Sequence, residues 1–403
     1  MANILVVTQY FWPEEFRINS VVEELSRKGH SVSVLTGIPN YPSGTIDKDY
    51  LKNKDKYGFY HQSKIHRVPM LRRGTSYVSL TLNYLSFFIS ASILGPFFLR
   101  GLKVDAVIVY QLSPATVLTP GYIIARIKNS KYIPWIQDLW PEAVPLLEFR
   151  LLKPLSFFIE KFVDFFLKRA DYVICQSRSF VVALNKRGVD QKKLKFIPNW
   201  AEKFYSETAI NFAPQIQRDD SFFTIMFAGN LGVAQDLPNV LKAIDLVFKK
   251  NKKVRWMFVG DGRILPWMAD EVKALGLDQN VYFLGRFPVE TMPNFFSHAD
   301  AMLISLSDKP IYGRTIPSKL QSYFMAGKPI LGMLPGEGAA VLNMSKSGIC
   351  VDAADYEGLS EAVLTMASLS KKTLTEMSVN SRRFGLDNYS EAKLIVDLEE
   401  LIN

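Results

Sequence analysis

Residues 222–237 read FFTIMFAGNLGVAQDL. An apolar run ends in the glycine-containing turn Gly229-Asn230-Leu231-Gly232, and a helical pattern opens at Leu237. Hydrophobicity that continues without alternation predicts a strand covered on both faces, as in a parallel sheet. The strand–turn–helix unit then recurs. Downstream, VRWMFVG, NVYFLG, DAMLIS, KPILGM and GICVD each precede a helical stretch. Upstream, NILVVT, SVSVLTG, KIHRVPM, DAVIVY, KYIPWIQD, DYVICQS and KLKFIPN carry the same rhythm. The pattern predicts an α/β protein with two doubly wound, Rossmann-like domains, whose ligands gather at the carboxyl ends of the strands. Residues 201–220, polar and poor in strand formers, read as a linker between domains 1–200 and 221–385.

The chain has 403 residues, 48% hydrophobic and 22% charged, which excludes a disordered chain, a collagen-like fibre and a disulfide scaffold. Its net charge of +9 is unevenly placed. Residues 1–200 hold 27 Lys and Arg against 15 Asp and Glu, and the remainder 21 against 24. A basic half points to an anionic partner: nucleic acid, acidic lipid or a phosphorylated substrate. The basic residues are scattered among apolar segments without a recognised binding module, so nucleic acid is set aside. Cys175 and Cys350 both lie in apolar runs, and two lone cysteines fit a reducing compartment. The start, MANILVVTQYFWPEE, reads as a first strand and lacks the pattern of a signal peptide.

Residues 80–99, LTLNYLSFFISASILGPFFL, are uncharged and approach the length that spans a bilayer. Asn83, the serines and threonines and the Gly95-Pro96 step favour a helix buried in the domain, with a helix at a membrane surface as the alternative. The segment PLSFFIEKFVDFFLKRA sets Phe157, Phe158, Phe162, Phe165 and Phe166 beside Lys153, Lys161, Lys168 and Arg169. It reads either as a core-packed amphipathic helix with a basic rim or as a headgroup-seeking one.

The turns at the strand ends carry the candidate chemistry. No G-x-G-x-x-G follows the first strand, and no P-loop, nucleophile elbow or metal-spaced histidines occur, so no metal or cofactor is expected. Instead Gly229, Asn230, Gly232 and Gln235 follow one strand, Gly260, Asp261 and Gly262 the next, and Gly285, Arg286 and Phe287 the third. The stretch YGRTIPSKLQSYFMAGKPI brings Arg314, Ser318 and Lys319 to the start of a helix. Glycine turns, helix N-termini and fixed cations together suit a nucleotide diphosphate. In the first domain Glu14, Glu15 and Asp138 lie at strand ends as candidate catalytic carboxylates. Asp138 also fits a helix cap, and the glutamates also fit a solvated loop. Arg17 and Asn19 open the first helix, where they could meet a diphosphate.

The motif order LSRKGHSVSVLTG, IPNW, FAGNLG, FVGDG, VYFLGRFP, HADAMLISL and PSKLQSYFMAGKPIL resembles family 4 glycosyltransferases of the GT-B fold. Within that family the chain is most similar to transferases of colanic acid and O-antigen synthesis, among them N-acetyl-L-fucosamine transferases. The resemblance implies two domains facing across a cleft, with an acceptor-binding first domain, a donor-binding second domain and a last helix at about 386–403 packing back on the first. It implies transfer from a UDP-sugar to a saccharide on undecaprenyl diphosphate, by a cytoplasmic protein attached peripherally to the inner membrane. The family's paired glutamates fall on Arg314 and Ser322, so Ser322 or Gln321 is left to meet the ribose. Its phosphate-binding Arg and Lys fall on Asn230 and Gln235, leaving Lys319, Arg286 and Arg314 as the available cations. Its His-Asp pair falls on Gln137-Asp138. These departures keep a non-catalytic scaffold of this fold, or an epimerase, as the alternative reading.

Overall fold

A computed structural model describes residues 1–46, 48–74, 76–142, 156–202, 204–207, 211–217 and 219–402. The chain divides into two compact units, Met1–Ile197 with Ile395–Asn403, and Pro198–Leu394. The first holds β1 (Asn3–Val7), β2 (Ser31–Thr36), β3 (Phe59–Tyr60), β4 (Ser63–Arg67), β5 (Ala106–Gln111), β6 (Lys131–Ile136), β7 (Val173–Cys175) and β8 (Leu194–Phe196). They form one sheet in the order β3-β4-β2-β1-β5-β6-β7-β8. The second holds β9 (Phe223–Ala228), β10 (Val254–Val259), β11 (Val281–Gly285), β12 (Ala301–Ser305), β13 (Ile330–Met333) and β14 (Gly348–Val351), in the order β11-β10-β9-β12-β13-β14. Both are doubly wound α/β sheets, parallel except for the pair β3–β4.

Every apolar run named from the sequence forms a strand, and the central ones are buried along their length. The strand that the sequence did not announce is β3, which has two residues and pairs antiparallel with β4 at the sheet edge. Two residues are too few to show a period. The first helix, Arg17–Arg27, buries Ile18, Val21, Val22 and Leu25 on one face. It closes on Gly29 at φ +92, with Gly29 N–H donating to Ser26 O and His30 N–H to Leu25 O.

Register is locked by one device used three times. Asp105, Asp171 and Asp300 each stand just ahead of a strand. Their amides donate to the carbonyls of Asn3, Tyr132 and Thr224, and their carboxylates accept from the amides of those same residues, at 2.7–2.8 Å. Each pair ties the entry of one strand to its neighbour, so a one-residue slip would break two bonds at once.

Two segments differ from their sequence reading. The linker expected over 201–220 belongs, in its described residues, to the second unit: Ala213 and Ile216 are buried, and Ala213 N–H donates to Asn294 O at 3.2 Å. Its polar composition concealed a few well-spaced apolar anchors. The helix at 80–99 spans Tyr77–Phe98, capped by the Ser76 side chain, and only part of it is buried. Asn83, Tyr84, Phe87, Ala91 and Gly95 pack inward, while Val78, Leu82, Leu85, Ile89, Ile93 and Phe97 are exposed. It is long and apolar enough to cross a membrane. In the second segment, Ser156–Lys168 is helical with Val163, Phe166 and Leu167 buried, and Lys153 lies outside the described residues.

At the far end of the chain Lys371–Tyr389 is one helix, and Glu391–Ile402 begins another. Glu399 accepts from Lys28 Nζ at 2.5 Å and lies 2.9 Å from His30 Nε2, and Lys131 Nζ donates to the Leu401 and Ile402 carbonyls. These contacts attach the last turns to the first unit. Asp300→Ala removes one register lock, and we expect its melting temperature to fall by about 2–6 °C in a thermal unfolding scan, as for the loss of one or two hydrogen bonds.

Candidate active site

In the second unit the carboxyl ends of β9, β10 and β11 meet backbone to backbone. Gly229 N–H donates to Val259 O at 2.8 Å, Gly260 N–H to Gly285 O at 2.7 Å, and Leu231 N–H to Asp261 O at 2.9 Å. Such approach leaves no room for side chains. A Cβ on Gly260 would stand 2.0 Å from the Gly229 carbonyl oxygen, and one on Gly262 would stand 2.3 Å from that of Leu231. Gly229 and Gly260 also hold φ values of +126 and +142, which glycine alone adopts without strain.

The helix Ser318–Ala326 is fixed over this turn by Tyr323. The buried phenol accepts from Ala228 N–H at 3.0 Å and lies 3.3 Å from Ala228 O. One turn earlier on the same face is Lys319. Its ammonium stands 4.3 Å from the centre of the Phe227 ring, and its stem fills the space that a Cβ on Gly229 would take. No carboxylate pairs with it among the described residues. Burial lowers its pKa to about 8, so the site holds a cation that lacks an anion. The helix begins on Pro317, which offers no side-chain cap; Leu320 N–H donates to Pro317 O at 3.0 Å, and the amides of Ser318 and Lys319 are left for an anion. The adjacent helix Gly336–Ser345 also starts on a proline, yet carries the buried Glu337 in its first turn.

The other donor-site candidates separate into three groups. Arg286 is exposed at the end of β11 and pairs with nothing among the described residues; Arg314 is half-buried in the turn Tyr312–Arg314; Asn230 is exposed. Gln235, Asp261 and Phe287 serve the scaffold. Gln235 Oε1 accepts from Gly232 N–H at 3.0 Å, Asp261 Oδ1 accepts from Gly262 N–H at 2.7 Å, and Phe287 packs 4.5 Å from the Phe295 ring. Gln321 is 1% exposed, its Oε1 buried without a hydrogen bond, so it is turned away from any ligand that reaches the helix from solvent. Ser322 is buried too, but its hydroxyl faces the Glu202 carboxylate at 3.5 Å. The sequence reading passed over Glu202, whose only signal is its place just after IPNW.

In the first unit Glu14 is a loop anchor. Its buried Oε1 accepts from Asn40 N–H at 2.7 Å and Tyr41 N–H at 2.5 Å, joining the ends of β1 and β2, and burial raises its pKa. Asn19 supports the same loop by donating to Glu14 O at 2.8 Å. Glu15 is exposed, and Arg17 is half-buried at the helix start. Asp138 differs from these. Oδ2 accepts from Ser113 Oγ at 2.7 Å, Ser113 in turn accepts from Trp140 Nε1, and burial pushes the carboxyl above its ordinary range.

A neighbouring network was not legible in the sequence. Asn83, fully buried on the long apolar helix, accepts from Gln9 and Tyr10 and donates to Asn40 Oδ1 and Leu71 O. Arg73 reaches the hydroxyls of Tyr10 and Tyr84 and lies over the Tyr41 and Tyr84 rings, at 5.2 and 6.0 Å. Neutral phenols surround it, and no carboxylate among the described residues balances its charge. No group of three metal-ligating side chains occurs among the described residues. A pocket of about 270 Å³, bordered by Thr224, Arg255, Asp300 and Lys328, opens at the amino ends of the second sheet, opposite these turns.

Residues 15–200 match the family model described as the glycosyl transferase 4-like domain, and residues 223–368 match glycosyl transferases group 1. The chain carries the two domains of a GT-B glycosyltransferase. Among relatives, a Pseudomonas aeruginosa protein named as the probable glycosyltransferase WbjE is 25% identical over 357 residues, 83% of this chain and 81% of its own length. WcaI of Escherichia coli K12, by name a candidate colanic acid biosynthesis transferase, is 24% identical over 320 residues, covering 76% of each. The fold is shared with HepE of Anabaena, solved with UDP and glucose, at a TM-score of 0.65 and 14% identity over 99% of both chains. This transferase is thus related to enzymes of bacterial surface polysaccharide synthesis.

The packed turns give the transferase a sharp sensitivity. Gly260→Ala is expected to cost about 2–4 kcal/mol by strain and overlap with Gly229, against about 1 kcal/mol for Gly276→Ala, whose added Cβ would meet open space. Chemical denaturation of both variants measures the contrast.

Proposed function

We propose that this transferase moves a sugar from a UDP-sugar to a saccharide carried on a lipid diphosphate, at the cytoplasmic face of the inner membrane. The observation that carries the reading is Lys319, a half-buried cation with no carboxylate partner among the described residues, beside the uncapped start of the helix Ser318–Ala326. A diphosphate is the ligand such a site lacks. It accepts hydrogen bonds from the amides of Ser318 and Lys319, keeps the Lys319 ammonium protonated, and draws on Arg286 and Arg314 as charge develops on the leaving group. With cations meeting the leaving group, this reading needs no metal ion. UDP is supported by the ligand of HepE. In this reading the Glu202–Ser322 pair receives the ribose hydroxyls, supplying the carboxylate that the helix itself lacks.

Asp138 is the acceptor-side base in this reading. Among the described residues its carboxylate bonds to Ser113 alone, through the hydroxyl and the amide, whereas Glu14 Oε1 ties together the amides of Asn40 and Tyr41. A carboxylate raised above its ordinary pKa takes the acceptor proton more readily once ionised. Arg73, ringed by neutral tyrosines, supports an anionic acceptor. The donor sugar in this reading is an N-acetylated deoxyhexosamine such as N-acetyl-L-fucosamine, on the resemblance of the motifs. The two unpaired cysteines and the WcaI relationship support the compartment and pathway class.

Lys319 titrates near the working range, so its role has a pH signature. Above about 8 the free protein loses this positive charge, and UDP has to recruit a proton to bind. We expect UDP affinity, measured by calorimetry, to weaken about tenfold per unit as pH rises beyond that value. Lys319→Met should lower the affinity about 10–100-fold at pH 7 and abolish this dependence. A pH-independent wild-type affinity would remove Lys319 from the site.

For the chemistry, Asp138→Asn is expected to reduce transfer about 10²–10⁴-fold while UDP binding is retained. In the wild type, transfer rises with pH through the Asp138 pKa, because the base acts ionised. A panel of UDP-sugars, assayed for thermal stabilisation and then turnover, identifies the donor. Hydrolysis or transfer with none of them, despite UDP binding, would favour a non-catalytic role.

A further inference from the structure

The helix Tyr77–Phe98 presents an apolar ridge that the protein leaves uncovered. Val78, Leu82, Leu85, Ile89, Ile93 and Phe97 recur every three or four residues, so they share one face for about 30 Å of helix. Their exposures run from 42% to 70%. The opposite face is committed to the unit. Asn83 is tied to the loops after β1 and β2, and a Cβ on Gly95 would come within 2.9 Å of Leu35 and 3.2 Å of Ile124. A helix pressed so closely onto its sheet cannot be surrounded by lipid, so it lies along an interface without spanning it.

Charge selects the occupant. Residues 56–104 contain no aspartate or glutamate, and seven lysines and arginines. Arg72 precedes the ridge, and Arg100 and Lys103 follow it, all exposed. The helix Leu118–Lys128 packs beside it and adds exposed Ile127, and beyond that the helix Ser156–Lys168 adds exposed Phe157, Phe158 and Phe165. There Lys161 lies over the Phe157 ring at 5.2 Å and Arg169 over Phe165 at 3.7 Å. Apolar side chains flanked by cations fit the boundary between acyl chains and acidic headgroups.

We propose that this face, the ridge of Tyr77–Phe98 extended across Ile127 to the phenylalanines of Ser156–Lys168, docks flat on an anionic bilayer. The proposal deepens the location given above and rests on it. It adds a link between surface and site. Asn83 stands on the docked helix and holds the same loop that Glu14 anchors, so the bilayer and the ends of β1 and β2 share a fixed frame. Arg73, four residues ahead of that helix and bonded to Tyr84 on its inward face, is held in the same frame.

Co-sedimentation of the full chain with lipid vesicles tests this. Vesicles of phosphatidylcholine with about one-third phosphatidylglycerol should bind at least about tenfold more protein than pure phosphatidylcholine, and about 0.5 M salt should release it. Leu85→Glu with Ile89→Glu should abolish binding and leave UDP affinity and melting temperature unchanged. Arg72→Glu with Arg100→Glu, which leave the apolar ridge intact, should weaken binding about tenfold or more and serve as the check should the first pair fail to fold. Equal binding of both charge-reversed and native protein, absence of binding to either vesicle, or a stable dimer that Leu85→Glu dissociates would overturn the proposal. UDP binding is scored in the same samples, so a protein that binds UDP but no vesicle refutes the docking face and spares the donor reading.

Discussion

The hydroxyl of Tyr323 lies against both peptide groups of Ala228, and much of the second unit follows from that contact. It fixes a helix to the last residue of β9, and the helical repeat then sets Lys319 one turn back, over the turn that leaves the strand. Lys319 occupies the volume a side chain at 229 would need, so residue 229 is glycine. The carbonyl of Gly229 in turn leaves no volume at 260, so that residue is glycine as well. The glycines that mark the strand ends in the sequence are therefore consequences of a single docking geometry. They make room for a lysine and for each other, and the proposed diphosphate site rests on the lysine and the helix start.

The fold was legible in the sequence because parallel strands buried on both faces have a composition that few other elements share. Runs such as DAVIVY and VRWMFVG are apolar throughout, and the glycine turns between them locate the strand ends. What escaped detection was short or depended on distant partners. Strand β3 is two residues long. The 201–220 stretch is polar on average, and its docking depends on isolated residues such as Ala213 and Ile216. The helix at 77–98 misled for a different reason. Composition reports how apolar a helix is, and the split between a buried and an uncovered face becomes visible only once the sheet beneath it is known.

The candidate site was legible as a set of positions and much less so as a set of roles. Lys319 and Asp138 lie in surroundings where burial lowers the pKa of the ammonium and raises that of the carboxyl. Glu14, Asn19, Gln235 and Asp261 lie at the right strand ends, yet their polar atoms are already used to shape the loops. Sequence position alone cannot separate these groups, since a carboxylate that anchors two amides and one that awaits a substrate read the same. Glu202 and Arg73 were missed because each acquires meaning from residues far away in the chain. Asn83 was read as a polar interruption of an apolar helix and proves to be the peg that holds that helix to the loops after β1 and β2.

The attachment of Glu391–Ile402 has an effect on the order in which the protein can be completed. Lys28, His30 and Lys131 are synthesised early, whereas their partners Glu399, Leu401 and Ile402 emerge only after the whole second unit. During translation the first unit therefore waits with these groups facing solvent and with the bed for Ile395, Leu398 and Ile402 uncovered. It closes only after the ribosome has delivered the whole second unit. An interrupted chain would thus expose a defined apolar scar on the first unit, a mark by which quality-control proteases could tell an unfinished molecule from a finished one.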